Sequence, residues 1–313
     1  MALETIPDAL AAEPLVDAHR RTISYLRVSV TDRCNLRCVY CMPEKGIDLV
    51  PMSDILRYEE IRDVVAVAAS MGLRYVRLTG GEPLARKGLV DLVGMISALP
   101  GIEEVALTTN GVSLARYAEP LAKAGLRRVN ISLDTFRPQR FSRITRVGRY
   151  EDVREGIAAA RAAGLLPIKL NVVLIPGLND DEVVDFARST YDEDWDVRFI
   201  ELMPFLEGET CARDVSLDSG FVPNEEVRRQ IEERLGPLAP APAAAGHGPA
   251  LYHRLPGARG RIGFISPLTE EGFCARCNRL RLTATGKLRP CLLTDQEIDL
   301  RGALRGGEGE EGI

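Results

Sequence analysis

Ser24-Tyr25-Leu26-Arg27-Val28-Ser29-Val30-Thr31-Asp32-Arg33-Cys34-Asn35-Leu36-Arg37-Cys38-Val39-Tyr40-Cys41 sets the architecture of this chain. Its first seven residues alternate apolar and polar and are rich in β-formers, which predicts a strand. That strand runs straight into a loop with three cysteines, Tyr40 standing just before the last. Thiolates so close together in a chain with seven cysteines are soft ligands gathered round one metal centre. A structural zinc site closes itself with four protein ligands. A cubane iron–sulfur cluster held by three thiolates leaves one iron open to a reacting molecule. Two plainer readings also fit the spacing: half of a zinc site completed elsewhere, or thiols packed as small apolar groups.

Downstream of the loop, Arg57 to Met71 repeats apolar residues at helical spacing (Ile61, Val64, Val65, Ala68), and Gly72 ends the run. Tyr75 to Thr79 is a second strand, followed by Gly80-Gly81-Glu82-Pro83. The alternation continues with a helix over 88–98, a strand over 104–109, a helix over 113–124 and a strand over 128–133. A helix over 150–163, a strand over 167–174, a helix over 180–191 and a strand over 196–202 complete six strand–helix units. Such alternation implies an α/β fold with a parallel sheet, because parallel strands need crossovers. Periodicity alone allows an open doubly wound sheet or a curved partial barrel. The strand ends favour a barrel mouth: Thr79-Gly80-Gly81-Glu82, Thr108-Thr109-Asn110, Ser132-Leu133-Asp134, Asn171 and Glu201-Leu202-Met203 all fall where such folds carry their sites. Taken singly, Asp134 or Asn110 fits the role of a helix cap equally well.

Residues 1–20, with Pro7, Pro14 and scattered acids, read as a mobile leader. Residues 204–222 read as irregular, and their Cys211, with no partner at metal spacing, as structural or incidental. A helix is expected over 223–235 with Pro223 in its first turn, and Pro237 to Pro249 reads as a linker or flexible loop. Then comes a second triad, Cys274-Ala275-Arg276-Cys277 with Cys291 beyond. Zinc ribbons pair two Cys-x-x-Cys units, and here the second unit is missing. Arg279 and Arg281 lie between these cysteines at i, i+2, which in an extended segment puts both guanidiniums on one face. They are forked donors suited to phosphate oxygens; the plain alternative is a solvated basic edge. The chain thus divides into a leader (1–20), a partial barrel (21–222) and a C-terminal region with the second cysteine motif (223–313).

Composition narrows the class. With 313 residues, 45% hydrophobic and 27% charged, the chain has enough apolar material for a sizeable core. A net charge of −5 argues against nucleic acid or an acidic membrane surface, so an anionic ligand must meet a local cluster of cations. Neither a signal peptide nor an apolar run of the ~20 residues a span requires is visible. Cysteines without an export signal point to a reducing compartment and metal binding. The sequence reads as cytoplasmic.

Three stretches carry a family resemblance. Leu26 through Cys34, Cys38, Cys41 to Pro43, then Arg77-Leu-Thr-Gly-Gly-Glu-Pro83, then Cys274-x2-Cys277-Asn-Arg-Leu-Arg-Leu-Thr with Cys291 together resemble the radical S-adenosylmethionine GTP 3′,8-cyclases of molybdenum cofactor biosynthesis. The likeness runs from about Tyr25 to about Leu300. It implies a partial (β/α)6 TIM-like barrel of the radical S-adenosylmethionine type with a C-terminal cluster-binding extension. It also implies two 4Fe-4S clusters, on Cys34, Cys38 and Cys41 and on Cys274, Cys277 and Cys291. The first would bind S-adenosylmethionine and reduce it to a 5′-deoxyadenosyl radical and methionine. The second would hold the guanine edge of GTP. Tyr40, Gly81, Ser132 and Met203 match the family's S-adenosylmethionine contacts, and Arg27, Arg77, Thr108, Lys169, Arg279, Leu280 and Arg281 its GTP contacts. Arg198 is a further strand-borne cation placed to line the cavity.

The implied reaction converts GTP to 3′,8-cyclo-7,8-dihydro-GTP. Its implied partners are a reducing electron donor and a downstream cyclic pyranopterin monophosphate synthase, with the chain a monomer or homodimer. Two departures from the family pattern stand out. Tyr75 occupies a position where the family often has lysine, and Gly306-Gly307 is followed by acids instead of ending the chain. Two other functions stay open at this stage. One is a radical peptide-modifying enzyme with an auxiliary cluster; the other is a zinc-binding scaffold.

Overall fold

The computed structural model describes residues 15–17, 20–203, 220–242 and 248–306. Cys211, most of the leader and Gly307 onward lie outside the described residues. Six strands follow the expected order: β1 (Tyr25–Ser29), β2 (Tyr75–Thr79), β3 (Glu104–Thr109), β4 (Leu126–Ser132), β5 (Lys169–Val173) and β6 (Asp196–Ile200). Each pairs in parallel with the next. The helices between them supply the outer layer. Helix α1 (Tyr58–Ser70), for example, buries Ile61, Val64 and Val65 in one core with Val76 and Leu78 of the strands. Helices α2 (Leu89–Ser97) and α3 (Leu114–Lys123) cover the next strands in the same way. The result is a partial barrel, with the C-terminal strand ends gathered at one mouth.

Between β4 and β5 lie two helices, α4 (Pro138–Thr145) and α5 (Tyr150–Ala162). Helix α6 (Val183–Asp192) then leads to β6, and α7 (Asn224–Leu235) follows with Pro223 as its N-cap.

The C-terminal region is woven into the same sheet. After the short β7 (Ala239–Pro240) and β8 (Leu251–Arg254), β9 (Arg261–Ile265) pairs in parallel with β6. At the opposite edge β10 (Arg279–Leu282) pairs in parallel with β1. Strands β11 (Lys287–Arg289) and β12 (Ile298–Asp299) extend that edge antiparallel, and α8 (Leu300–Gly306) ends the described chain. The sheet therefore has twelve strands in the order β12-β11-β10-β1-β2-β3-β4-β5-β6-β9-β8-β7. The second cysteine triad flanks β10 and β11 at the end where β1 begins, so it lies across the barrel from the loop that carries the first.

Part of the leader is also tied down. The Leu15 N–H donates to the Met71 carbonyl at 3.2 Å, and the Ile23 N–H donates to the Leu15 carbonyl at 2.8 Å.

Candidate active site

The first triad is built by a weld between β1 and β2. Past the end of β2, the Gly81 N–H donates to the Thr31 carbonyl at 2.8 Å and the Glu82 N–H to the Arg33 carbonyl at 2.7 Å. A Cβ at Gly81 would stand 2.4 Å from the Arg33 carbonyl oxygen. The glycine is thus required by the close approach of the cysteine loop itself. Glu82, 1% exposed, accepts from Leu84 N–H, the Thr109 hydroxyl and Asn110 N–H. Asn110 in turn donates to Asn35 Oδ1 at 2.8 Å and reaches Cys34 Sγ at 4.0 Å. The Leu36 N–H also points at Cys34 Sγ, at 3.4 Å. Hydrogen bonds of this kind toward sulfur tune thiolate ligands.

Helix α4 holds the other flank of the loop. Arg37 N–H donates to the Thr145 carbonyl, Val39 N–H to the Ile144 carbonyl, and the Arg146 guanidinium to the Arg37 and Met42 carbonyls. The Tyr40 hydroxyl donates to Asp134 at 2.8 Å, and the other Asp134 oxygen accepts from Val173 N–H. Burial pushes the Asp134 carboxyl up to about 6. Burial likewise pushes the Cys38 thiol up, helped by the charges of Asp134, Cys41 and Cys34. Partly desolvated thiols such as Cys34 and Cys38, beside the exposed Cys41, are stabilised as thiolates by a metal centre.

The second triad shares a cavity of about 210 Å³ with the strands. Cys274, Cys277 and Cys291 line it together with Arg21, Arg27, Arg77, Arg198, Arg279 and Arg281, and among the described residues no acid lines it. The β-register explains the concentration. Arg27 is paired with Arg281 on one side and Arg77 on the other, so three adjacent strands present a row of guanidiniums. Among the described residues, Nε of Arg77, Nε of Arg198, and Nε and Nη1 of Arg281 are buried without a hydrogen-bond partner. Burial draws Arg77 down to about 9, with Arg128, Arg198 and Arg27 adding repulsion against the opposing effect of Tyr25. Burial, then Arg27 and Arg279, draw Arg281 to about 10. Burial alone would raise the Cys277 thiol, but Arg279 and Arg281 overcome it and its pKa falls. Buried donors without acceptors beside mutually repelling cations form a site waiting for a polyanion.

Thr108, Met203 and Arg198 line this cavity as well. Leu280 lies on β10 between the two arginines, paired with Leu26. Ser132 ends β4, paired with Asn171, which also lines the cavity. Lys169 is placed differently from a cavity contact. It is 2% exposed, its Nζ lies 3.8 Å from Asp196 and 3.4 Å from the Tyr252 hydroxyl, and it is not among the lining residues. Tyr75 points away from the cavity, its hydroxyl donating to Glu103 at 2.7 Å. Arg21 is a cavity cation that sequence reasoning missed, because the segment before β1 offers no periodicity. Asp17 grips its guanidinium, and Arg21 donates to the Cys274 carbonyl.

Each triad offers three thiols, the donor set that a cluster with one open iron takes. All six cysteines of the two triads are free thiols. Among the described residues, no three Cys, His, Asp or Glu side chains are gathered as a single metal ion requires. A zinc ion needs its sulfurs at about 2.3 Å from one point, whereas a cubane asks three thiols to stand around a wider body.

Comparison with known proteins finds two family models along the chain. Residues 28–190 match the Radical SAM superfamily, and residues 195–313 match Molybdenum Cofactor Synthesis C. The GTP 3′,8-cyclase of Heliobacterium modesticaldum is 56% identical over 296 residues, covering 95% of this chain and 89% of the relative. That of Pelotomaculum thermopropionicum is 53% identical, covering 95% and 90%. In overall shape the chain resembles Streptococcus suis SuiB bound to S-adenosylmethionine, with a TM-score of 0.62 over 93% of this chain and 67% of that one. At 13% identity that likeness speaks to the fold alone.

Proposed function

The chain belongs to the GTP 3′,8-cyclase family of radical S-adenosylmethionine enzymes, and from that premise we propose how its residues divide the work. It converts GTP to (8S)-3′,8-cyclo-7,8-dihydroguanosine 5′-triphosphate, the first step of molybdenum cofactor biosynthesis. Relatives above half identity carry this activity in their names, which sets aside the peptide-modifying alternative.

Cys34, Cys38 and Cys41 would hold one four-iron cluster, and Cys274, Cys277 and Cys291 a second. The first, when bound, supplies the electron that cleaves S-adenosylmethionine, and the second an open iron for the guanine edge. The remaining work belongs to the chain. Tyr40, fixed by Asp134, and Gly81, fixed by Arg33, hold the loop where Ser132 and Met203 can meet S-adenosylmethionine. The row Arg281, Arg27 and Arg77, with Arg279, Arg198 and Arg21, binds the triphosphate. Lys169 lies sealed beneath that row with Asp196 and Tyr252, without touching the substrate. Ile200, Ile265, Phe273 and Leu292 exclude water from the space where a carbon radical must survive. The observation that carries this reading is a cavity whose buried arginine donors meet neither an acid nor an acceptor among the described residues.

We place the enzyme in the cytoplasm, as a monomer or homodimer that passes its product to the cyclic pyranopterin monophosphate synthase. No helix among the described residues is long and apolar enough to cross a membrane. The test is anaerobic reconstitution with iron and sulfide, followed by dithionite, S-adenosylmethionine and GTP. About eight irons per chain with GTP-dependent 5′-deoxyadenosine and a cyclised nucleotide are expected. Bound zinc with no cleavage would overturn the reading.

A further inference from the structure

A cationic groove lies on the outer face beside the first triad. Thr31 and Arg33 form one wall, and Arg57, Arg86 and Lys87 stand around it with one acid, Glu59. Arg33, Arg57 and Lys87 are exposed. Arg86 is fixed in place by the Val30 and Leu56 carbonyls and lies 4.1 Å over the Tyr58 ring. Both of these hydrogen-bond acceptors are neutral carbonyls, and Glu59 and Glu60 act on it only through space. Arg57 gives one nitrogen to Glu60 at 3.2 Å, but that carboxylate is shared with Arg305. On a chain of net charge −5, this concentration of positive charge is a local feature. It also borders the reaction centre directly, because Arg33 is the residue before Cys34. Across the loop, the exposed Lys45 stands beside Glu44 with Asp48 close by, so that flank has no comparable excess.

We propose that this groove docks a small acidic one-electron carrier protein that reduces the first cluster. The inference rests on the function proposed above, which consumes an electron at a half-buried centre but leaves its source unspecified. Electron-transfer encounters are small, transient and steered by complementary charge. The groove supplies the charge. The exposed Met52 at its rim and Leu49 nearby, each 52% exposed, supply an apolar seat inside a polar surround. Leu49 is brought alongside by Val50, whose N–H donates to Asp32 at 2.7 Å.

The test compares two electron sources on the reconstituted enzyme. One is flavodoxin, an acidic carrier, reduced by its NADPH-dependent reductase; the other is dithionite, which needs no docking. In the double variant Arg57→Gln with Lys87→Glu, flavodoxin-driven deoxyadenosine formation should fall about tenfold at low salt, with the dithionite-driven rate unchanged. Lys87→Glu alone, which leaves the cysteine loop untouched, should show a smaller loss of the same kind. Arg229→Glu on α7 should change neither rate. The wild-type flavodoxin rate should also fall as sodium chloride is added. An unchanged flavodoxin rate in the double variant would overturn the docking proposal. Equal loss from both sources would also overturn it, by assigning the cations to the site itself. If the wild type made no deoxyadenosine even with dithionite, the function reading would fail first and take this proposal with it.

Discussion

The Glu82 carboxylate accepts the Asn110 backbone N–H at 2.7 Å, and this bond locks the end of β3 against the cysteine loop. Asn110 continues the chain of contacts to Asn35 and Cys34. All three groups bonded to Glu82 are donors, so the carboxylate acts as an acceptor only.

In Glu82→Gln, one face of the new amide must meet a donor with a donor. With its oxygen toward Leu84 and Thr109, its NH2 would face the Asn110 N–H. The variant should lose about 1–3 kcal/mol of stability and retain less iron at the first triad. Thermal unfolding and iron analysis of the reconstituted protein measure both. An unchanged midpoint with full iron would show that the loop is ordered by other contacts.

Gly81→Ala tests the same weld by sterics. The added Cβ would lie 2.4 Å from the Arg33 carbonyl oxygen and 2.6 Å from its carbon, both backbone atoms that cannot swing aside. The expected cost is about 2–3 kcal/mol, again with poorer iron retention. Gly94→Ala is the control, since a Cβ there meets nothing within 4 Å. Equal behaviour of the two variants would remove the steric argument.

How much of this was legible in the sequence depends on the range of the interaction. The βα order was, because each unit buries its own apolar stripe, as Ile61, Val64 and Val65 do in α1. Helix α4 was not, since Pro138 to Thr145 is short and buries only Phe141, Ile144 and Thr145. Its value lies in the carbonyls it offers to Arg37 and Val39, which no local pattern announces. That Arg279 and Arg281 share one face was readable from their i, i+2 spacing on a strand. That Arg281 would sit in register with Arg27 and Arg77 depends on a parallel pairing between distant parts of the chain. Lys169 shows the opposite limit. A strand-borne lysine reads as a cavity cation, and only packing reveals that it lies sealed beneath the cavity with Asp196 and Tyr252.

That sealed position makes Lys169 a source of pH dependence. Burial first, then Arg198 and Arg128, lower it from 10.5 to about 6, with Asp196 opposing. Between those values the unfolded chain binds a proton that the folded chain gives up. Stability therefore rises with pH across that interval. Lys169→Met removes the term while Arg261 continues to pair with Asp196. Urea midpoints at about pH 6.5 and about pH 9 should differ less in the variant than in the wild type. An identical difference in both would mean that Lys169 stays charged in the fold.

Arg279 and Arg281 separate binding from folding. Arg281 keeps Nε and Nη1 buried without an acceptor among the described residues, and it repels Arg27 and Arg279. Cys277 and Cys291 offset only part of that repulsion in the free protein, so removing the two charges should leave stability unchanged or raise it. Binding should respond in the opposite sense. If both side chains donate to triphosphate oxygens, the double variant Arg279→Ala with Arg281→Ala should weaken GTP by about 2–4 kcal/mol. Guanosine supplies the internal control, because it carries the base and ribose without the phosphates. Its affinity should change little, so the wild-type preference for GTP over guanosine should shrink in the variant. Calorimetric titration of both ligands, alongside thermal unfolding, reads all three effects. Unchanged GTP affinity would make these arginines a solvated edge. Equal loss of GTP and guanosine would assign them to the base instead of the phosphates.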